Sequence, residues 1–144
     1  MIKFEIEGVK GKGRPRFDSR GHAYTPDTTR AYEELVRLRY RQATKQPPTS
    51  SAVYVEVVAW LVPAESLSKK KRLELLENPP MKKPDIDNIA KIILDALNGV
   101  AWVDDKQVVK LNICKLWGHS ERISVFIVTE EEINERCKLN RSID

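Results

Sequence analysis

The segment KPDIDNIAK, residues 83–91, sets Asp85 and Asp87 one residue apart and follows them with Lys91; the segment WVDDKQV, residues 102–108, adds Asp104 and Asp105. Pro84 biases the residue before it away from helix, so Asp85 is expected to leave an extended stretch. In such a stretch residues two apart face the same way, and the two carboxylates stand side by side. Carboxylates crowded together without a cation must protonate or be destabilised. A hard divalent ion relieves that, and Mg²⁺, with Mn²⁺ as a substitute, prefers an all-oxygen donor set. The other resolution is separation in space, with one aspartate capping a helix, another pairing at i+4 and the Asp-Asp pair forming a polar turn. A metal-held carboxylate cluster on a basic chain points to phosphoryl chemistry.

These residues need elements to position them. Asp87 is an N-cap candidate for a helix through Asn98, stopped by Gly99 in the left-handed position. Ile89, Ile92, Ile93, Ala96 and Leu97 fall at i, i+3, i+4, i+7 and i+8, a buried stripe. Asp87, Lys91 and Asp95 follow one another at i+4 on the other side. A helix packed beside the strand that follows Asp105 would bring both acidic segments together. Around this unit, IKFEIEG alternates as a strand, and VKGKGRPRFDSRGHAYTP reads as a long loop or irregular hairpin. TPDTTRAYEELVRLRYRQAT reads as a helix with a Thr or Asp cap, and AVYVEVVAWLV as a central strand. SLSKKKRLELLEN is a short basic helix stopped by two prolines. VVKLNICKLWG and RISVFIV are expected to pair as strands through a GHSE turn, and EEEINERCKL closes as a helix with acid at its dipole-favoured end. Strands and helices mix without βαβ alternation. The expected fold is α+β: a small mixed β-sheet with helices packed on it, one domain over residues 1–144.

Composition sets the frame. The chain has 144 residues, 41% hydrophobic and 32% charged, with a net charge of +4, which is a soluble globular profile. Its longest apolar run, VVAWLVP, is too short to span a bilayer. No basic start, apolar middle and small-residue cleavage site mark a signal peptide, and the cytoplasm is the expected location. Cys114 and Cys137 form no disulfide framework and are expected to be reduced thiols; His22 and His119 share no motif. Residues 1–50 hold eleven Lys and Arg against six Asp and Glu. A second basic cluster runs from Lys69 to Arg72 and is joined by Lys82 and Lys83. This distribution suits a polyanionic partner. Lys10, Lys12, Arg14, Arg16 and Arg20 suit phosphate, the loop's glycines allow close backbone approach, and Phe17 and Tyr24 are of the type that stacks on exposed bases. Lys69, Lys70, Lys71 and Lys83 would extend that footprint along a duplex arm.

KPDIDNIAKIILDALNGVAWVDDKQVV closely resembles the signature of the RusA family of Holliday junction resolvases, with looser similarity at GKGRPRF and YTPDTTRAYEE. The resemblance implies a homodimer of small α+β subunits that cuts two strands of a four-way DNA junction symmetrically with Mg²⁺. It places the family's metal-binding aspartates on Asp85, Asp87 and Asp105, with Asp104 the adjacent acid of the metal set, and the family's essential lysine on Lys91. It further implies that water attacks phosphorus in line and displaces the 3′ oxygen, while Lys91 either stabilises charge on the phosphate or helps to activate the water. Three other readings compete. A non-catalytic DNA-binding module leaves the aspartates unexplained. A nucleotide-sugar transferase would need a nucleotide-binding domain for which the chain lacks a glycine-rich strand–helix turn. A general Mg²⁺ nuclease acting on other branched DNA differs only in substrate.

Overall fold

The computed structural model describes the backbone of residues 1–141 and the side chains of residues 1–135. Its elements are β1 (Ile2–Glu7), β2 (Arg16–Phe17), β3 (Ala23–Tyr24), α1 (Asp27–Ala43), β4 (Val53–Leu61), α2 (Lys69–Leu76), α3 (Ile86–Leu97), a 3₁₀ turn at Asp105–Gln107, β5 (Val108–Trp117), β6 (Arg122–Thr129) and α4 (Glu130–Arg141). The α+β expectation holds: β1, β6, β4 and β5 form one mixed four-stranded sheet, and β2 and β3 form a separate ribbon.

β4 is central, as its composition predicts. Val53, Val55, Val57, Ala59 and Leu61 are buried on one face, and the strand pairs antiparallel with β6 and parallel with β5. That arrangement corrects the expected β5–β6 hairpin. The GHSE segment steps over the end of β4 instead of turning back on its own strand. Gly118 makes the crossing possible: its N–H donates to the Leu61 carbonyl at 2.8 Å, and a Cβ there would stand 3.1 Å from Trp60 Cβ. β4 is the most apolar strand, and lying between two neighbours satisfies its backbone on both sides.

α1 and α3 cover one face of the sheet. The stripe read from the sequence is the stripe that is buried: Ile89, Ile92, Ile93, Ala96 and Leu97 are inaccessible and join Phe4, Ile6, Val36, Tyr40 and the inward residues of β4 and β6 in one core. Gly99 has φ +75° and ends α3 as expected. Two expected caps are corrected. α1 starts behind Pro26, so neither a Thr nor an Asp side chain caps it. α3 starts two residues earlier than expected, with Asp85 rather than Asp87 at the N-cap. Asp85 has the extended backbone that Pro84 favours, and an N-cap residue requires that conformation. α2 begins at Ser68, whose hydroxyl accepts from Lys71 N. Cys114 is exposed on β5 and in no disulfide among the described residues; the side chain of Cys137 lies outside the described residues. Among the described residues no helix is long and apolar enough to cross a membrane.

Candidate active site and nucleic-acid interface

Asp85 sits at the N-cap of α3 and Asp87 in its first turn, both exposed, and the Asp85 carboxylate makes no capping hydrogen bond. Lys91 lies one turn beyond Asp87, also exposed. Among the described residues none of these three makes an ion pair; the third charge of the row, Asp95, pairs with Lys12 at 3.2 Å. Asp85 and Asp87 are thus free carboxylates at the positive end of a helix dipole, where they are favoured, with Lys91 at mid-helix. A cleft of 310 Å³ opens at Asp85, lined also by Gly11, Lys12, Lys83, Pro84 and Asn88.

The second acidic segment is built differently. Asp105 Oδ1 accepts from the indole of the fully buried Trp102 at 2.8 Å, which fixes the carboxyl group. Asp104 is a cap: its Oδ1 accepts from Lys106 N at 3.0 Å, while Gln107 Oε1 accepts from Asp104 N at 2.8 Å. Gln107 in turn donates to the carbonyls of Thr49 and Ser51, tying the turn to the start of β4. The sequence offered Asp104 and Asp105 as a pair; the fold gives Asp104 a structural duty and leaves Asp105 with one oxygen uncommitted by that indole bond.

The two segments stand apart within one chain. Trp102 bridges to Asn98, and its carbonyl accepts from Gly99 N, so Asp105 belongs to the C-terminal end of α3. Asp85 is at the other end, and twelve helical residues separate the two by ~18 Å. β5 runs back along α3: Lys115, near its far end, donates to the carbonyls of Lys82 and Pro84. Among the described residues no three Asp, Glu, His or Cys come together to hold a metal ion. The expected convergence of Asp85, Asp87 and Asp105 therefore does not occur in a single subunit, because the helix and the strand are antiparallel and their acidic residues sit at opposite ends.

The arginine-rich loop is placed against α3. Lys12 N donates to Asn88 O at 2.8 Å, and Gly11 lies so close that a Cβ would meet Asn88 Cβ at 2.8 Å and Pro84 Cβ at 3.0 Å. Glycine is required there by approach, not by φ. Lys12, expected to face DNA, has its ammonium enclosed between Glu33 on α1 and Asp95 on α3. Burial opposes its charge, but hydrogen bonds to Glu33 and Asp95 outweigh it and raise the Lys12 pKa above the ordinary lysine value. Sequence gave no signal for this, since Glu33 is 21 residues away on α1 and Asp95 is farther still along the chain, on α3.

Beyond that anchor the loop projects. Arg14, Arg16, Arg20 and Lys10 are exposed, and Phe17 and Tyr24 stand 69% and 48% exposed on the β2–β3 ribbon. Asp18 organises the turn, accepting from Arg20 N and His22 N at 2.8 and 2.9 Å, and its hydrogen bonds, the one from His22 N foremost, hold its pKa below the usual carboxylate value. Lys69, Lys70 and Lys71 form the exposed start of α2, and Lys83 edges the Asp85 cleft.

Free paired aspartates at a helix start beside a basic loop are what the comparisons with known proteins have to account for. The family model described as "Endodeoxyribonuclease RusA" matches residues 8–128, and the chain belongs to that family. It is also 32% identical over 134 residues, 88% of this chain and 94% of the relative, to the "Uncharacterized protein YqaN" of Bacillus subtilis (strain 168). The match spans the loop, both acidic segments and strands β4, β5 and nearly all of β6, with β1 lying before it.

Proposed function

We propose that the protein is a Mg²⁺-dependent endonuclease that resolves four-way DNA junctions as a homodimer, each active site being assembled from two subunits. The observation that carries this reading is the pair of unpaired carboxylates, Asp85 and Asp87, beside unpaired Lys91 in a chain of the RusA endodeoxyribonuclease family. The donor set fits a hard cation in chemistry, since it is all oxygen, and falls short in number within one chain. Asp105 of the partner subunit supplies what is missing. A second copy also gives two sites related by symmetry, which two matched cuts require.

Mg²⁺, when bound, supplies Lewis-acid polarisation of the phosphate and activation of water. Asp85 and Asp87 of one subunit and Asp105 of the partner subunit would hold it, the last kept in orientation by its indole donor. The reaction is hydrolysis: water adds to phosphorus, the 3′ oxygen leaves, and the products are a 5′-phosphate and a 3′-hydroxyl. Lys91, one turn from Asp87, neutralises charge developing on the phosphate oxygens. Arg14, Arg16 and Arg20 pair with backbone phosphates, and Phe17 and Tyr24 stack on bases unpaired at the crossover. Exposed aromatics on a basic ribbon favour a branched substrate over plain duplex, whose bases are already stacked.

The test is complementation. Asp85→Asn and Asp105→Asn chains are each expected to be inactive on a synthetic four-way junction in Mg²⁺. A purified heterodimer of the two has one site with both defects and one with none, so it should nick at about half the wild-type rate without paired cleavage. If each site lay within one subunit, both would carry a defect and the heterodimer would be dead. A wild-type protein that does not cut the junction in Mg²⁺, or cuts three-way and linear DNA equally well, overturns the reading itself. Lys91→Ala should keep junction binding and lose cutting; loss of folding would make that lysine merely structural.

A further inference from the structure

Asp105 differs from the other two aspartates of the proposed site in being held. Asp85 and Asp87 are exposed and unpaired among the described residues, whereas Asp105 Oδ1 accepts from the indole Nε1 of Trp102 at 2.8 Å. Trp102 is fully buried, and its main chain is bridged to Thr49 and to Asn98. The donor is therefore fixed by the core and cannot follow the carboxylate if it turns.

The turn does not need this bond for its shape. Asp104 and Gln107 close a capping box across it, Gln107 Nε2 donates to the carbonyls of Thr49 and Ser51 at 2.7 and 2.9 Å, and Val103 N donates to Thr49 O at 3.2 Å. Those bonds pin the backbone on both sides of Asp105. The core does not need it either, since phenylalanine would fill the same apolar space without a buried N–H that must find an acceptor. What the indole adds is control over the rotation of one carboxyl group. It takes up Oδ1 and leaves Oδ2 without a hydrogen-bond partner among the described residues.

The number of oxygens a carboxylate can offer bears on the choice of cation. Mg²⁺ takes about six oxygens in near-octahedral order and keeps several of them as water, so single carboxylate oxygens serve it well. Ca²⁺ takes about six to eight and commonly draws both oxygens of one carboxylate. A carboxylate with one oxygen engaged by an immobile N–H is a poor two-oxygen ligand. We infer that Trp102 is a positioning residue that presents a single oxygen of Asp105 to the metal, so that the site prefers Mg²⁺ or Mn²⁺ to Ca²⁺. This rests on the two-subunit metal site proposed above. The indole acts on the cation through Asp105 alone, and each Trp102 serves the site that its own Asp105 completes with Asp85 and Asp87 of the partner subunit.

The test counts bound Mn²⁺ by electron paramagnetic resonance on the full chain without DNA, then displaces it with Mg²⁺ or with Ca²⁺. In the wild type Mg²⁺ should displace Mn²⁺ at a lower concentration than Ca²⁺ does; equal displacement overturns the inference. Trp102→Phe keeps a ring and loses the donor. It should weaken Mn²⁺ binding about 10-fold or more, as loss of a ligand's supporting hydrogen bond ordinarily does, and should narrow the preference for Mg²⁺ over Ca²⁺. A tryptophan that merely filled the core would shift the melting temperature and leave that preference unchanged, so an unchanged ratio also overturns the inference. A second measurement keeps Trp102 in place: with Trp60→Phe and Trp117→Phe it is the sole tryptophan. Paramagnetic Mn²⁺ should then quench its fluorescence, and Asp105→Asn should abolish the quenching; Mn²⁺ that binds without quenching overturns the inference. Mn²⁺ binding lost in Asp105→Asn but indifferent to Trp102→Phe refutes the role of the indole and leaves the metal site standing. Absence of Mn²⁺ binding by the wild type, or binding undiminished by Asp105→Asn, refutes the metal site and this inference with it.

Discussion

Replacing Lys12 with methionine is the perturbation that most directly connects the fold to the site. The Lys12 side chain is 17% exposed, that of Glu33 12% and that of Asp95 36%. Removing one member of a fully buried ion pair costs ~3–5 kcal/mol because the partner is left charged and unpaired. Two features reduce that here. Asp95 is accessible enough to recover hydration, and Glu33 retains Arg37 at 4.0 Å. Solvent screening at partly exposed pairs takes such contributions down further, so Lys12→Met should cost ~1–3 kcal/mol, or about 3–12 °C in Tm for a domain of this size. Glu33→Gln should be partly redundant with it, and a double-mutant cycle by urea denaturation should give a coupling of ~1–2 kcal/mol. Because the folded pKa of Lys12 is raised above 10.5, the stabilisation is complete below that pH and is lost as pH rises through the folded value. The wild type and Lys12→Met should therefore converge in stability in strong alkali. Junction affinity should fall as well, since the anchor sets the angle of the loop bearing Arg14 and Phe17. A coupling below ~0.5 kcal/mol, or a gap between the two proteins that widens at alkaline pH, would refute the claim that this buried ammonium holds the loop to α3.

Two further outcomes follow from the same geometry. Arg14→Ala and Arg16→Ala should each weaken junction binding and flatten the plot of log affinity against log salt by about one unit, one phosphate contact each; an unchanged slope in electrophoretic binding titrations would remove them from the interface. Gly11→Ala forces a Cβ to within 2.8 Å of Asn88 Cβ and should destabilise by ~1–3 kcal/mol in urea denaturation while lowering junction affinity in the same binding titrations.

The buried stripe of α3, its left-handed stop at Gly99, the central place of β4 and the α+β class were all legible in the sequence, because periodicity and glycine placement act over a few residues. So were the acidic residues and Lys91, since side-chain type and spacing carry their chemistry locally. The loop at Lys12 was misread for the opposite reason: a lysine in a basic stretch looks like a phosphate ligand until the fold delivers Glu33 and Asp95 to it from two other helices. The β5–β6 hairpin failed similarly, as short connections favour neighbours, and only the demand of β4 for partners on both sides displaces β6 across it. What the sequence by itself determined is which groups are available and which faces of each element are apolar. Only the tertiary structure decided how far apart those groups fall. α3 and β5 run antiparallel, so acidic residues 18 to 20 positions apart in the chain come to rest at opposite ends of one helix, and direction along an element is invisible to spacing alone.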